Sequence, residues 1–204
     1  MRYGSTHKES THQRIVDVAG RLFKERGIDA TGVALVMSEA KLTNGAFYAH
    51  FASKEALVEE VIADQLRRQL ERYQDAAKDV AGLEAIAREY LSPEHRDNCG
   101  DGCPSAALAD ELARRSESTR QAYSDGVVRL VDSLHEHLPT RSPEQARSLV
   151  LALLGLLIGT MQLARAMIDR ELSDTVLESG LAAALTLIKA PWHDVNDSLT
   201  QEVA

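Results

Sequence analysis

Thr43-Asn44-Gly45-Ala46-Phe47-Tyr48-Ala49-His50-Phe51 sets the reading of this 204-residue chain. Phe47 and Phe51 stand four apart, on one face of a helix, and predict a core contact with Leu22, Phe23 and Leu57. Three aromatics in five residues cannot all face inward on one helix, so Tyr48 is expected to turn outward, with a core position as the alternative. Thr43 can cap this helix, which runs from Asn44 to about His50. Downstream, Ser53 can cap a long helix that opens with Lys54-Glu55-Ala56-Leu57 and continues to about Lys78. Upstream, Thr31 precedes a short helix from about Val33 to Ala40, and Lys41-Leu42 forms a tight turn. A supporting helix starts at Ser10, where Ser10-Thr11-His12-Gln13 fits a capping box. Its stripe of Ile15, Val18, Ala19, Leu22 and Phe23 ends at Gly27, after Lys24 and Arg26. Two short helices joined by a brief turn behind a supporting helix describe a helix-turn-helix unit.

The rest of the chain reads as helix too. Spacing and caps predict helices over about 82–91, 104–115, 119–138, 143–169 and 173–189. Ser118-Thr119-Arg120-Gln121 and Ser142-Pro143-Glu144-Gln145 both fit capping boxes. Residues 93–102 read as one long polar loop. Aromatics make up only 4%, so the core is built from Leu, Ala, Val and Ile, which suits packed helices better than a sheet. The fold class expected is all-α: an N-terminal three-helix helix-turn-helix domain over 1–54, a larger helical domain over 55–190, and a loose tail over 191–204.

Net charge is −8, which taken alone argues against nucleic acid. Its distribution reverses that. Residues 1–54 carry eight basic and five acidic side chains, a net of +3, which leaves −11 on the remainder. A basic head on an acidic body turns the head toward phosphates. The head also supplies groups that suit a DNA groove. Gly45 and Ala46 allow close approach, and Thr43 and Asn44 sit at a helix N-terminus where free amides favour phosphate. Asn44 can pair with an adenine edge. Tyr48 and His50 can reach phosphate, and Lys41, Lys54 and the capping Thr31 can add backbone contacts. No nucleophile–base set, phosphate-binding glycine loop or metal-ligand spacing is present, so neither catalysis, a cofactor nor a metal is expected. The N-terminus is polar, without a signal peptide, and Leu149–Met161 is shorter than a membrane span, so a cytoplasmic protein without a membrane partner is expected.

The string Thr43 to Phe51, with Ser53-Lys54-Glu55-Ala56-Leu57, Ile28-Asp29-Ala30-Thr31 and Arg21-Leu22-Phe23, resembles the signature of the TetR family of transcription regulators. The resemblance covers about the first quarter of the chain. It implies a homodimer on a palindromic double-stranded operator, paired through the last two long helices, with repression as the usual output. It also implies a small-molecule inducer, of unknown identity, that weakens DNA binding. Many relatives have glycine where this chain has Lys41, so Lys41 must accept a left-handed backbone, and a basic residue where it has Asn44. Gly155 and Gly159, and Ser179, Gly180, Ala183 and Ala184, form small-residue faces that suit helix pairing between subunits, with packing inside one subunit as the alternative.

Cys99 and Cys103 are the only cysteines and make no disulfide framework. Cys103 falls at the start of the helix that Pro104 opens, where a helix N-terminus favours thiolate. Gly102-Cys103-Pro104 also resembles the branch of the family whose regulators respond to electrophiles through such a cysteine. Two sensor readings therefore stand: a ligand-responsive regulator in which the thiols are structural, or a redox or electrophile sensor using Cys103. An enzyme on the helical body is a third, weaker reading. His135-Glu136-His137 reads as a solvated helix end.

Overall fold

The computed structural model describes residues 3–135 and 142–190, and among them every regular element is helical. In chain order these are α1 (Tyr3–Arg26), α2 (Val33–Glu39), a 3-10 turn (Asn44–Ala49), α3 (Lys54–Ala76), α4 (Val80–Tyr90), α5 (Pro93–Asp97), a second 3-10 turn (Cys99–Asp101), α6 (Pro104–Leu112), α7 (Glu117–His135), α8 (Pro143–Ala166) and α9 (Arg170–Lys189). The all-α class expected from the sequence is therefore correct. The tail over 191–204 and the pair Glu136-His137 lie outside the described residues.

Helix ends differ from the sequence reading for identifiable reasons. The first helix begins at Tyr3, not Ser10, so the Ser10 capping box is not used. Thr31 does not cap α2; Gly32 takes that place without a side-chain bond. The segment Asn44–Ala49 winds as a 3-10 helix, and Thr43 precedes it without a side-chain capping bond. Asp79 caps α4 by accepting from the Gly82 N–H at 2.8 Å, and Asp169 caps α9 through the Glu171 and Leu172 N–H groups, so both helices start earlier than their apolar spacing predicts. Ser116, rather than Ser118, accepts the Thr119 N–H at the start of α7. The polar stretch 93–102 is not a plain loop, since it holds α5 and the second 3-10 turn. The Ser142 capping box forms as expected, with both reciprocal bonds to Gln145.

Packing divides the chain into two compact units: the described residues up to Leu70 with 94–128, and 71–93 with the described residues from 129 on. The first unit has one core, in which Phe47 and Phe51 join Leu22, Phe23 and Leu57, together with Ile15, Val36, Met37, Leu108 and Leu112. The expected aromatic contact is thus present.

The second unit is built on the α8–α9 pair, with α4 packed on α9. A Cβ on Gly180 would stand 2.3 Å from Thr160 Cγ2, so these helices meet as closely as a glycine permits. Ser173 donates to the Ala164 carbonyl at 2.7 Å and ties the hairpin shut. By length and composition α8 is apolar enough to cross a membrane, more so than its central run suggested. Its Leu149, Leu153, Leu157 and Met161 are buried within the unit, as in a core helix. By contrast, a Cβ on Gly155 or Gly159 meets nothing within 4 Å, and both glycines are exposed.

Candidate nucleic-acid interface

The recognition segment is presented by the packing beneath it. Phe47 is fully buried and Phe51 nearly so, with stacked rings 5.6 Å apart. Burying two aromatic rings in the first unit's core fixes the rotation of the short helix. Thr43, Asn44, Gly45 and Tyr48 are consequently turned outward, and Tyr48 is 75% exposed with its ring edge-on to Phe47. A tyrosine so exposed directly beside a buried phenylalanine has no packing role of its own. Lys41 is also exposed, and its φ of +56° is the left-handed turn that the sequence required of it.

Three of the predicted contact residues are held differently. Thr31 is fully buried, and its hydroxyl donates to the Gly27 carbonyl at 2.8 Å and toward Leu22 O at 3.4 Å. It closes the end of α1, whose stop is Gly27 at φ +88°, and offers no hydroxyl to a phosphate. Lys54 is half-buried, with its ammonium on the Ile28 carbonyl at 2.5 Å, so it pins the turn before α2. His50 ends the recognition turn and is half-buried. Burial pushes its imidazolium to lower pH than an ordinary histidine, and the nearby charges of His12 and Lys8 push the same way. His12 was not singled out from the sequence. It lies three residues before Ile15, on the same stripe of α1, and that spacing is the signal that could have found it.

The turn that carries α2 is gripped from outside the three-helix head. Glu111 of α6 accepts the Ile28 N–H at 2.9 Å and the Asp29 N–H at 3.1 Å, and Arg115 pairs with Asp29, Glu55 and Glu111. Glu55 accepts from the hydroxyls of Thr119 and Ser116 at 2.8 and 3.0 Å. Burial alone would raise the Glu55 carboxyl, but those hydrogen bonds, the Ser116 N–H and the Arg115 charge outweigh it and hold the group below its usual range. A carboxyl depressed by folding contributes stability above its unfolded value and loses it as pH falls through the folded value. The expected result is that wild-type protein loses stability on acidification below about pH 4.5 more steeply than Glu55→Gln, measured as denaturant midpoints from pH 6 to 3. Parallel acid limbs would contradict it.

The cysteine segment lies against the same head. Cys103 is the N-cap of α6, is nearly buried, and has Gln69 Nε2 3.5 Å from its sulfur. Its N–H donates to His95 Nε2 at 3.1 Å. Cys99 is half-buried, and its thiol donates to the Lys24 carbonyl at 3.0 Å. Lys24 in turn places its ammonium on the Gly102 carbonyl at 3.0 Å and on Gln65 at 2.9 Å. Both cysteines are free thiols. Tyr123 donates to Ser105 at 3.1 Å, and burial pushes its phenol up. Among the described residues no group of three His, Cys, Asp or Glu side chains is placed to hold a metal ion.

Residues 15–61 match the sequence profile of the bacterial regulatory proteins, tetR family. The chain is 26% identical over 90 residues to the HTH-type transcriptional regulator UidR of Escherichia coli (strain K12), which is 44% of this chain and 46% of UidR. It is 38% identical over 65 residues to the HTH-type transcriptional repressor KstR2 of Mycolicibacterium smegmatis, 32% of each chain. The chain thus spans about half the length, or less, of the curated relatives it matches. In fold it is similar to the reduced form of E. coli NemR, with a TM-score of 0.75 at 20% identity over 90% of this chain and all of that one. It is also similar to FadR of Bacillus subtilis in complex with stearoyl-CoA, with a TM-score of 0.67 at 14% identity over 88% of this chain and 99% of FadR.

Proposed function

We propose, from the premise that this chain is a TetR-family protein, that it is a dimeric repressor released from a palindromic operator by a small molecule. The observation that carries the reading is the recognition turn itself: Thr43, Asn44, Gly45 and Tyr48 face outward from a helix whose Phe47 and Phe51 are locked in the core. Those groups are small where a groove is close and polar where it offers acceptors. Lys41 extends the same exposed face with a cation. Thr31 becomes structural, since it is buried with its hydroxyl on the Gly27 carbonyl, while Lys54 holds the α1–α2 turn through one of its three N–H groups.

Dimerisation is supported by the unfilled face of α8 and α9. A Cβ on Gly155 or Gly159 would meet nothing within 4 Å among the described residues, and an open groove of about 380 Å³ runs between Gly159, Thr160, Leu163, Val176, Ser179 and Gly180. Leu151, Leu163 and Leu172 are each about half exposed. A second copy covers this surface, and a two-fold pair of heads matches two half-sites one or more helical turns apart. For release, an inducer must prefer the non-binding conformer by a few kcal/mol. FadR, with stearoyl-CoA bound, supports such a fold holding a small molecule. Among all these features, a cytoplasmic setting and the absence of catalysis are part of the same proposal.

The test is selection of bound duplexes from a random pool by the full-length protein. An enriched inverted repeat, bound by two chains, is expected. Enrichment of no duplex, or of a single half-site bound by one chain, would reject the reading. A second reading, that Cys103 is the input, is favoured by its place as the N-cap residue of α6, with Gln69 Nε2 3.5 Å from its sulfur. It is checked on the selected duplex. Thiol oxidant should release wild-type protein and leave Cys103→Ser bound, and equal behaviour of the two leaves the thiol structural.

A further inference from the structure

The reading face and the core leave one cluster of the head unused. The ring of His12 on α1 stacks on Phe51 with centroids 4.5 Å apart, and lies 5.7 Å from the ring of His50. Its Nε2 is bonded to Glu60 Oε1 on α3. Lys8, one turn earlier on α1, bears on His50 electrostatically. His50 itself closes the recognition turn, and its Nδ1 is buried with no hydrogen-bond partner among the described residues. Thus the end of the reading helix carries a titratable ring that faces Lys8 and His12 from α1 and, through His12, Glu60 from α3.

We propose that His12 is a positioning residue for His50, and that the two make operator binding take up a proton. The proposal rests on the reading of this head as a DNA-binding unit. In the free protein, protonating His50 buries a donor that has no acceptor and brings a cation beside Lys8 and His12. The ring is therefore neutral near pH 7. A duplex adds phosphates to the face that ends at His50, and a negative neighbour favours the protonated ring. The bound-state value then lies above the free-state value. By linkage, affinity rises as pH falls from the bound value toward the free one, and levels off beyond either. One proton per head limits the slope to about tenfold per pH unit for each head, and so to about a hundredfold for a two-headed complex. His12 sets where this window lies. Glu60 and Phe51 fix its ring against His50, so removing it raises the free-state and bound-state values together and moves the window to higher pH.

The experiment measures affinity of the full-length protein for the selected duplex from pH 5.5 to 8 at constant ionic strength, for wild type, His12→Gln and His50→Gln. Wild type should gain about three- to tenfold per pH unit for each bound head over part of this range. His50→Gln should lose that slope, and His12→Gln should show it displaced to higher pH. Equal slopes in all three proteins would overturn the proposal. Histidine ring titration of the free protein by NMR separates this failure from that of the DNA reading. His50 should titrate below the ordinary 6.5 and move up in His12→Gln. A His50 that titrates at the ordinary value and ignores His12→Gln overturns the proposal whether or not DNA binds. Titration as expected without any bound duplex rejects the DNA reading, and the proton uptake with it.

Discussion

Phe47→Ala is expected to destabilise the protein by about 3–5 kcal/mol, while Tyr48→Ala, one residue on, changes stability by no more than about 0.5 kcal/mol. The difference follows from burial. Phe47 is fully enclosed by the first unit's core, so truncation leaves a cavity that Leu22, Phe23, Met37 and Leu57 cannot close without shifting the short helices. Tyr48 is three-quarters exposed and touches the core only through its edge contact with Phe47. The order reverses for DNA. Tyr48→Ala should cost about 1–2 kcal/mol of operator affinity per head, because on the proposed reading it removes a phosphate donor and a ring that packs on sugar. Urea unfolding and anisotropy titration on the selected duplex measure the two quantities. A Tyr48→Ala protein that binds as well as wild type would remove Tyr48 from the interface. Loss of stability equal to that of Phe47→Ala would mean that the helix is rotated from its described position.

The second large effect is expected at Gly180. Gly180→Val puts carbon atoms where Thr160 already stands, and Thr160 is β-branched and stiff, so α8 and α9 must separate. A stability loss of about 1–3 kcal/mol is expected, together with dissociation to monomers at micromolar concentration. Gly155→Leu is the informative contrast. A Cβ there meets nothing within 4 Å among the described residues, and replacing a helical glycine favours the helix by up to about 1 kcal/mol. It should keep or raise the protomer's stability and still disturb the dimer. Sedimentation of both variants, with thermal unfolding, decides the matter. A fully dimeric Gly155→Leu would show that the open face of α8 is not where two copies meet.

Much of this was legible in the sequence for reasons that particular residues make plain. Phe47 and Phe51 repeat at helical spacing, so their burial, and the outward turn of Tyr48, follow from geometry alone. Lys41 sits where the turn needs a left-handed residue, and it adopts that conformation. The differences concern groups with two available partners. A threonine before a helix can cap it or bond backward, and Thr31 bonds backward to Gly27 because it is buried there. A lysine at the start of α3 can reach phosphate or a carbonyl, and Lys54 takes the Ile28 carbonyl. Such choices depend on neighbours far along the chain, which periodicity does not reveal. The two packing units likewise interleave distant segments, with 94–128 joining the head, whereas a linear reading offers only consecutive boundaries.

The start of α3 has a consequence for how this chain tolerates length variation. Lys54 and its neighbour Glu55 point to two different segments, the Ile28 carbonyl and the Ser116–Thr119 hydroxyls. Deleting or inserting one residue in the Phe51–Ser53 corner would turn the helix start by about 100° and detach both at once. Homologous sequences that keep this pair of anchors should therefore show no gaps in that corner, however freely their other connections grow or shrink.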